Sequence, residues 1–185
     1  ETVEESVDKM NALLVRLHAG GKEVAVNAIV VLKPLLQKIV NSVAERNRKL
    51  TFETSLSGIV VEADEERLRA VIAHLIDNAL EATTDGGRVA VRLLARGGDA
   101  ILEVADNGTG MDEEFIRNEL FRPFRTTKEG GFGIGVYESR EFVRELGGRM
   151  EVVSARDQGT TIRVSLPAMQ SANDADIGLR GIEVL

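Results

Sequence analysis

Two pairs of short alternating segments constrain the fold most, because each pair flanks a Gly-containing turn that favours an antiparallel hairpin. Residues 88–95 and 100–105 flank Gly97-Gly98-Asp99, and residues 149–154 and 160–166 form the second pair. Adjacent hairpins build a mixed or antiparallel sheet rather than a parallel doubly wound one. We therefore predict a two-layer α/β sandwich, in which a mixed sheet of about five or six strands packs on about three helices.

The remaining elements follow from apolar periodicity and from capping signals. Pro34 suits the first turn of a helix, and Asp64 suits an N-cap because its side chain can accept from an otherwise unpaired backbone amide. Helices are predicted at 1–18, 34–48, 65–82, 112–120 and 134–146, and further strands at 24–31, 50–54 and 59–63.

These elements divide the chain into three parts. Residues 1–20 contain an N-terminal amphipathic helix with an apolar stripe close to a heptad pattern. A lone helix of this size must pack on another helix or on a partner chain. Residues 22–167 hold the predicted sandwich, and residues 168–185 form a polar, then weakly apolar tail without an assigned role.

The composition argues against several functional classes. The chain has 185 residues, a net charge of −7 and no Cys. The negative charge argues against nucleic-acid binding, and the lack of Cys excludes disulfides and thiolate metal sites. No apolar run approaches the ~18–20 residues of a membrane span. We expect a cytoplasmic domain and, since the first residue is Glu rather than Met, a fragment of a longer protein.

The predicted helix 65–82 carries a polar stripe beside its apolar face. At about 100° per residue, Arg67, His74, Asn78 and Glu81 fall on one side of the helix. Asn78 offers a neutral oxygen that suits Mg²⁺, an ion that takes few protein ligands besides substrate phosphates. The competing interpretation is an Asn that is satisfied at the edge of the core.

A predicted strand delivers Asp106 into a loop that contains Gly108 and Gly110. A carboxylate at a strand end can accept a hydrogen bond from an exocyclic amine such as that of adenine. Gly110 allows the backbone to approach a ring closely. The competing interpretation is an ordinary turn, because Asp-Asn-Gly is a common turn sequence.

Residues 121–135, FRPFRTTKEGGFGIG, combine cations with alternating glycines before a predicted helix. Glycines there allow backbone amides to converge on phosphate oxygens at the helix N-terminus. Lys128 can contact a terminal phosphate as a point charge. The stretch does not follow a strand, as a Rossmann fingerprint does, and it lacks the Gly-Lys-Ser/Thr of a P-loop. Each motif alone is therefore weak.

In their order and spacing, however, these motifs resemble the ATP-binding domain of sensor histidine kinases, which belongs to the superfamily of gyrase, Hsp90 and MutL. The matching segments are HLIDNALEA (74–82), DNGTGM (106–111), LFRPFRTTK (120–128), GGFGIG (130–135) and GTT (159–161). The resemblance covers about residues 22–167. The run GIGVYESREFVRELGG (133–148) is most similar to the PrsK type of histidine kinase from PEP-CTERM exosortase systems.

The resemblance implies a Bergerat-type sandwich that binds ATP and Mg²⁺ under a lid formed by residues 121–135. It assigns Asn78 to the metal ion and Asp106 to the adenine. The implied nucleotide contacts are Asn78, Asp106, Gly108, Gly110, Phe121, Phe124, Thr127, Lys128, Gly131, Gly133, Ile134, Gly135 and Thr160, and the implied catalytic groups are His74, Asn78 and Lys128.

His74 departs from the family pattern. Many histidine kinases carry Asn at this position, and gyrase-like ATPases carry a Glu that activates water, so no ATPase base is carried over to this chain. A neutral His could hydrogen-bond a phosphate or a metal-bound water, or it could pack behind the residues that contact the nucleotide.

The implied reaction transfers the γ-phosphoryl group of ATP to a His on a dimerisation hairpin, for onward relay to a response regulator. Residues 1–20 resemble only the second helix of that hairpin, and His18 lacks the acidic neighbour of the family's acceptor motif. We therefore expect a fragment that binds ATP or ADP but does not phosphorylate itself. Its parent is expected to be a homodimer that could be membrane-anchored.

Three other functions remain open at this point: a nucleotide sensor without catalysis, a gyrase- or MutL-like ATPase, and a Ser/Thr kinase of the anti-sigma type. The glycines and Lys128 favour catalysis, whereas His74 counts against the ATPase. The coiled-coil-like first helix favours the histidine kinase over the Ser/Thr kinase.

Overall fold

The computed structural model describes residues 27–45, 49–125 and 133–170. The elements are, in chain order, β1 (Ala28–Val31), α1 (Leu32–Ala44), β2 (Leu50–Glu53), β3 (Ile59–Ala63), α2 (Glu65–Ala82), β4 (Val89–Arg96), β5 (Asp99–Asp106), α3 (Glu113–Asn118), α4 (Gly135–Glu145), β6 (Arg149–Ala155), β7 (Gly159–Pro167) and β8 (Met169–Gln170). The predicted helix 1–18, the start of the predicted strand 24–31 and the tail beyond residue 170 lie outside the described residues.

Five strands form a mixed sheet in the order β2-β4-β5-β7-β6, in which β2 and β4 are parallel and the other pairs antiparallel. Both predicted hairpins are present. The turn between β4 and β5 consists of Gly97 and Gly98, whose φ values are 63° and 90°. Glycine adopts this left-handed region without strain, which is why this short turn is possible here.

Helices α1, α2 and α4 supply the second layer, because each presents an apolar stripe to the sheet. The inward stripe of α2 consists of Leu68, Val71, Ile72, Leu75, Ile76 and Ala79, all at most 9% exposed. These side chains share one core with Val91, Leu93 and Val104 of the sheet. Burial of each large aliphatic side chain contributes roughly 1.5–3 kcal/mol, so the core fixes α2 against the sheet. The predicted sandwich is confirmed.

Helix α2 begins where the sequence predicts, because Asp64 caps it. The Asp64 Oδ1 accepts a hydrogen bond from the backbone N–H of Arg67 at 2.9 Å. Helix α1 ends earlier than predicted, at Ala44 rather than near residue 48. No helix within the described ranges is both long enough and apolar enough to cross a membrane.

The structure differs from the single predicted sheet by placing β3 with β1 and β8 in a separate, three-stranded antiparallel sheet. A side-chain bridge lies directly after β2. The Thr54 hydroxyl donates to the Leu93 carbonyl at 2.9 Å and accepts from the Leu56 amide at 3.0 Å. These bonds hold Thr54 against β4 at the end of β2, and β3 then begins in the second sheet.

Candidate functional site

Asp106 is the last residue of β5, and backbone amides hold its carboxylate in place. Its Oδ1 accepts from the amide of Gly108 at 2.9 Å and from the amide of Thr160 at 3.2 Å. Among the described residues, no hydrogen bond to its Oδ2 is found. Burial raises the pKa of Asp106 above its ordinary value, and the two amide bonds oppose this rise only in part. The carboxylate is therefore oriented, partly desolvated and able to accept one more donor.

The loop after Asp106 closes tightly onto the end of α2. The Thr109 amide donates to the Ala82 carbonyl at 3.0 Å. A Cβ atom on Gly108 would lie 2.1 Å from the same carbonyl oxygen, and a Cβ atom on Gly110 would lie 1.9 Å from the Ala155 carbonyl oxygen. Both glycines thus allow backbone-to-backbone packing within the protein. The approach of Gly110 to a ligand ring stays a prediction.

A hydroxyl pair lies beside Asp106 on the inward face of the sheet. Asp106 pairs with Thr160, and Thr160 pairs with Ser154, in register across β5, β7 and β6. The Ser154 hydroxyl donates to the Gly159 carbonyl at 2.8 Å and lies 2.9 Å from the Thr160 hydroxyl. Since Ser154 has one proton to donate, Thr160 must be the donor to it. This pair fixes the strand ends that present the carboxylate.

Sequence reasoning missed Ser154. The available signal was its position in β6, where Met150, Val152 and Ser154 alternate toward the interior. A Ser that ends an otherwise apolar inward row marks the point where the core gives way to a polar site.

A second cluster lies on α2 and at the start of α4. The Asn78 Nδ2 lies 2.9 Å from the His74 Nε2, one helical turn away. A Cβ atom on Gly135, the first residue of α4, would lie 2.2 Å from that same nitrogen. Of the predicted site residues, His74 therefore contacts both Asn78 and Gly135, and Gly135 follows the buried Ile134.

The two clusters are connected through α2. Asn78 lies one turn before Ala82, whose carbonyl receives the loop that follows Asp106. Helix α4 is held to α2 by the ion pair of Arg67 and Glu145 at 2.9 Å and by the Arg67 guanidinium, which stacks 4.4 Å above the Phe142 ring. A single rigid helix therefore positions both clusters.

Gly133 and Arg125, which are both described, lie close together. A Cβ atom on Gly133 would lie 2.5 Å from the Arg125 amide nitrogen, and both Gly133 and Phe124 have a φ of 65°. Phe124 is 54% exposed, while the Phe121 ring lies 4.4 Å below the guanidinium of Arg140. This stacking was not predicted, because it depends on how α4 packs. Thr127, Lys128 and Gly131 lie outside the described residues.

Comparison with known families decides the identity. The profile described as "Histidine kinase-, DNA gyrase B-, and HSP90-like ATPase" matches residues 63–170, which is more than half of the chain and includes both clusters. The chain belongs to this ATPase family.

Relatives of this ATPase-family chain are sensor kinases. The C4-dicarboxylate transport sensor protein DctB of Rhizobium meliloti is 37% identical over 147 residues, which are 78% of this chain and 22% of that protein. The chain therefore spans about a fifth of that relative's length. The mycobacterial sensor histidine kinase MprB aligns with a TM-score of 0.69 and 27% identity, over 79% of this chain and 100% of that chain.

A third relative was solved together with a partner. The histidine kinase ThkA, in complex with the response regulator protein TrrA, aligns with a TM-score of 0.65 and 25% identity, over 90% of this chain and 52% of that chain. These similarities identify the chain as homologous to the ATPase-type catalytic domain of sensor histidine kinases.

The clusters of this ATPase-family domain fit the ligands that the family implies. The Asp106 Oδ2 can accept from an amine of a purine, and the Gly108 and Thr160 amides keep the carboxylate oriented for it. The Asn78 amide oxygen is a hard donor of the kind that Mg²⁺ accepts. Within the described residues, no group of three or more His, Cys, Asp or Glu side chains could hold a metal ion.

Proposed function

We propose that this chain is the ATP-binding catalytic domain of a two-component sensor histidine kinase. Its reaction is the transfer of the γ-phosphoryl group of ATP to a His on a dimerisation hairpin, from which a response regulator Asp receives it. The observation that carries the proposal is the oriented Asp106 carboxylate, in a chain whose relatives are sensor histidine kinases.

Asp106 is the adenine-recognising group. Its Oδ1 is occupied by the amides of Gly108 and Thr160, so its Oδ2 accepts from the exocyclic amine. Partial burial strengthens such a charge-assisted bond, because less water competes for the carboxylate. In this proposal Gly110 lies on the base side of the site, and Phe121 belongs to the aromatic part of the lid.

Asn78 is the protein ligand of Mg²⁺. When bound, the metal ion neutralises phosphate charge during transfer. The amide oxygen of Asn78 contributes one neutral ligand from α2. The remaining nucleotide contacts are assigned to Thr127, Lys128 and Gly131, together with Phe124, Gly133, Ile134 and Gly135. The first three of these rest on sequence alone.

Finer assignments belong to the same proposal. The run 133–148 supports a kinase of the PrsK type, and the ThkA–TrrA complex supports a response regulator as the downstream partner. We place the domain in the cytoplasm, within a homodimeric parent protein that supplies the acceptor hairpin.

A transfer assay tests the proposal. The chain is incubated with Mg²⁺, γ-labelled ATP and a dimerisation hairpin of a sensor kinase such as DctB. Acid-labile label on the hairpin His is expected, because phosphohistidine is the product, and none on the chain alone. If the wild-type chain transfers no more label to the hairpin than an Asp106→Asn control does, the proposed kinase activity is contradicted. Release of phosphate without any hairpin supports the gyrase-like ATPase instead.

A further inference from the structure

Resting on the proposed function, we propose that His74 is a positioning residue that fixes the amide of Asn78, so that Oδ1 and not Nδ2 faces the metal ion. The carrying observation is a three-residue contact. The Nε2 edge of the His74 imidazole contacts both Asn78, one turn later on α2, and Gly135 at the start of α4.

The hydrogen bond between His74 and Asn78 can have only one direction. An amide nitrogen has no acceptor lone pair, so the Asn78 Nδ2 donates and the His74 Nε2 accepts across 2.9 Å. A neutral imidazole with Nε2 as acceptor carries its proton on Nδ1. The contact therefore specifies one tautomer of His74.

This direction matters because an Asn amide is almost symmetrical in shape. Rotation by about 180° would exchange oxygen and nitrogen and present an NH₂ group to the metal ion. An NH₂ group cannot ligate a cation, since it offers hydrogens and no lone pair. An acceptor at position 74 favours the competent rotamer of Asn78, and a donor there would favour the wrong one.

Gly135 holds the imidazole in the position that this bond requires. A Cβ atom there would lie 2.2 Å from Nε2, 2.4 Å from Cε1 and 2.9 Å from Cδ2 of His74. The backbone of Gly135 therefore lies directly against the Nε2 and Cε1 atoms of the ring, beside the contact with Asn78. The Ser139 hydroxyl donates to the Gly135 carbonyl at 2.7 Å and helps to fix that backbone.

A packing contact within the protein thus explains why residue 135 is a glycine. The phosphate contact predicted for Gly135 stays a prediction, and the geometry adds a second reason for glycine here, which is the close approach of α4 to the His74 ring. Glycine and His at these two positions belong together, because any larger residue at 135 would displace the ring from Asn78.

The first test needs no nucleotide. The chain has two His residues, His18 and His74, so ¹⁵N-imidazole NMR of the wild type and of His74→Phe assigns both. At about pH 8, where an ordinary imidazole is neutral, His74 is expected as the Nδ1–H tautomer. The Nε2–H tautomer would overturn the proposal, whatever the chain does with ATP.

The second test measures how much Mg²⁺ strengthens binding of a non-hydrolysable ATP analogue. His74→Phe keeps a flat ring but has no acceptor, and we expect it to lose about 10- to 100-fold of the Mg²⁺ enhancement. Its affinity for the analogue should fall by a larger factor with Mg²⁺ than without it. His74→Gln is the matched control, since its Oε1 lies three bonds from Cβ, as Nε2 does, and should retain the enhancement.

Equal losses in His74→Phe and His74→Gln would show that the ring is needed for packing only, and would overturn the proposal. A wild-type chain without any Mg²⁺ enhancement would contradict the proposed function instead. The tautomer measurement distinguishes these failures, because it reports the contact without metal or nucleotide.

A double-mutant cycle tests the role of Gly135. Gly135→Ala is expected to reduce the Mg²⁺ enhancement in the wild type and to have no further effect in a His74→Ala background, where the ring is gone. An equal additional loss in that background would mean that Gly135 serves the phosphates directly, and would overturn its link to His74.

Discussion

At the scale of single residues, the partial burial of Asp106 lowers the stability of the domain when its carboxylate is ionised. Burial raises its pKa, so the ionised form is less favourable in the folded domain than in the unfolded chain. Asp106→Asn retains an Oδ1 for the Gly108 and Thr160 amides but places an NH₂ group where Oδ2 was. We expect an unchanged or higher melting temperature without ligand. Nucleotide affinity should fall by about 10- to 150-fold.

The same substitution has a predicted pH signature. An acid whose pKa is raised on folding contributes stability that is fully present below its unfolded pKa and is lost as pH rises through the folded value. Asp106→Asn should therefore gain stability relative to the wild type as pH rises from the ordinary pKa of 3.8 through the raised value. Denaturant unfolding at several pH values measures this, and a relative loss with rising pH would contradict it.

Gly110 and Gly86 provide a matched comparison of glycine roles. Both residues have a positive φ, 62° for Gly110 and 87° for Gly86. A Cβ atom added to Gly110 would lie 1.9 Å from the Ala155 carbonyl oxygen, whereas a Cβ atom added to Gly86 would have no neighbour within 4 Å. Gly86→Ala should cost roughly 1–2 kcal/mol from backbone strain alone. Gly110→Ala should cost about 3 kcal/mol or more, since the collision adds to the strain. If denaturant unfolding shows that Gly86→Ala and Gly110→Ala lose equal free energy of unfolding, the packing role of Gly110 is contradicted.

The sequence predicts the separate pieces of the site better than their contacts. The roles of Asn78 and Asp106 rest on motif order, and the structure places each in a fitting environment. The Ser154 hydroxyl and the contact between His74 and Gly135 depend on strand register and on the distance between α2 and α4. No local pattern encodes either of these, because the partners are far apart in the chain.

At the scale of elements, a charged ladder crosses the outward face of the larger sheet. Glu103 on β5 is 8% exposed and accepts from Arg92 at 2.8 Å and from Arg163 at 2.7 Å. Burial alone would raise the pKa of Glu103, but the bonds from Arg163 and Arg92 outweigh it, so the pKa is lowered. The ladder therefore joins β4, β5 and β7 most strongly when Glu103 is ionised.

Glu103→Gln tests this ladder. It keeps the shape of the side chain but removes the charge, and should lower the free energy of unfolding by about 1–2 kcal/mol at neutral pH. An acid with a lowered folded pKa loses its contribution as pH falls through that value. The difference in free energy of unfolding between Glu103→Gln and the wild type should therefore become smaller at acidic pH. A difference that is independent of pH would contradict the assigned role of the charge.

Elements with local signals are predicted well, and elements with distant partners are not. The Asp64 cap and the Gly97-Gly98 turn lie within a few residues of the structure that they define. By contrast, β2 and β3 belong to different sheets because β2 pairs with β4 and β3 pairs with β1 and β8, and the pairing of β8 with β3 joins segments about a hundred residues apart. Local periodicity contains no information on such partners.

At the scale of the whole molecule, the account joins two clusters into one nucleotide site. Asp106 and its amide donors lie at the end of β5, and Asn78 with His74 lies on α2, which also receives the loop after Asp106. The base and the phosphates of ATP would therefore contact elements that share one rigid core. The proposed site therefore lies wholly within a domain that covers 22% of a relative such as DctB.

Calorimetric titration with a non-hydrolysable ATP analogue, with and without Mg²⁺, tests this central claim most directly. The account predicts saturable one-to-one binding that is tighter with Mg²⁺, and an Asn78→Ala variant that keeps metal-free binding but loses the enhancement. Absence of saturable binding, or equal losses of Asn78→Ala affinity with and without Mg²⁺, would contradict it.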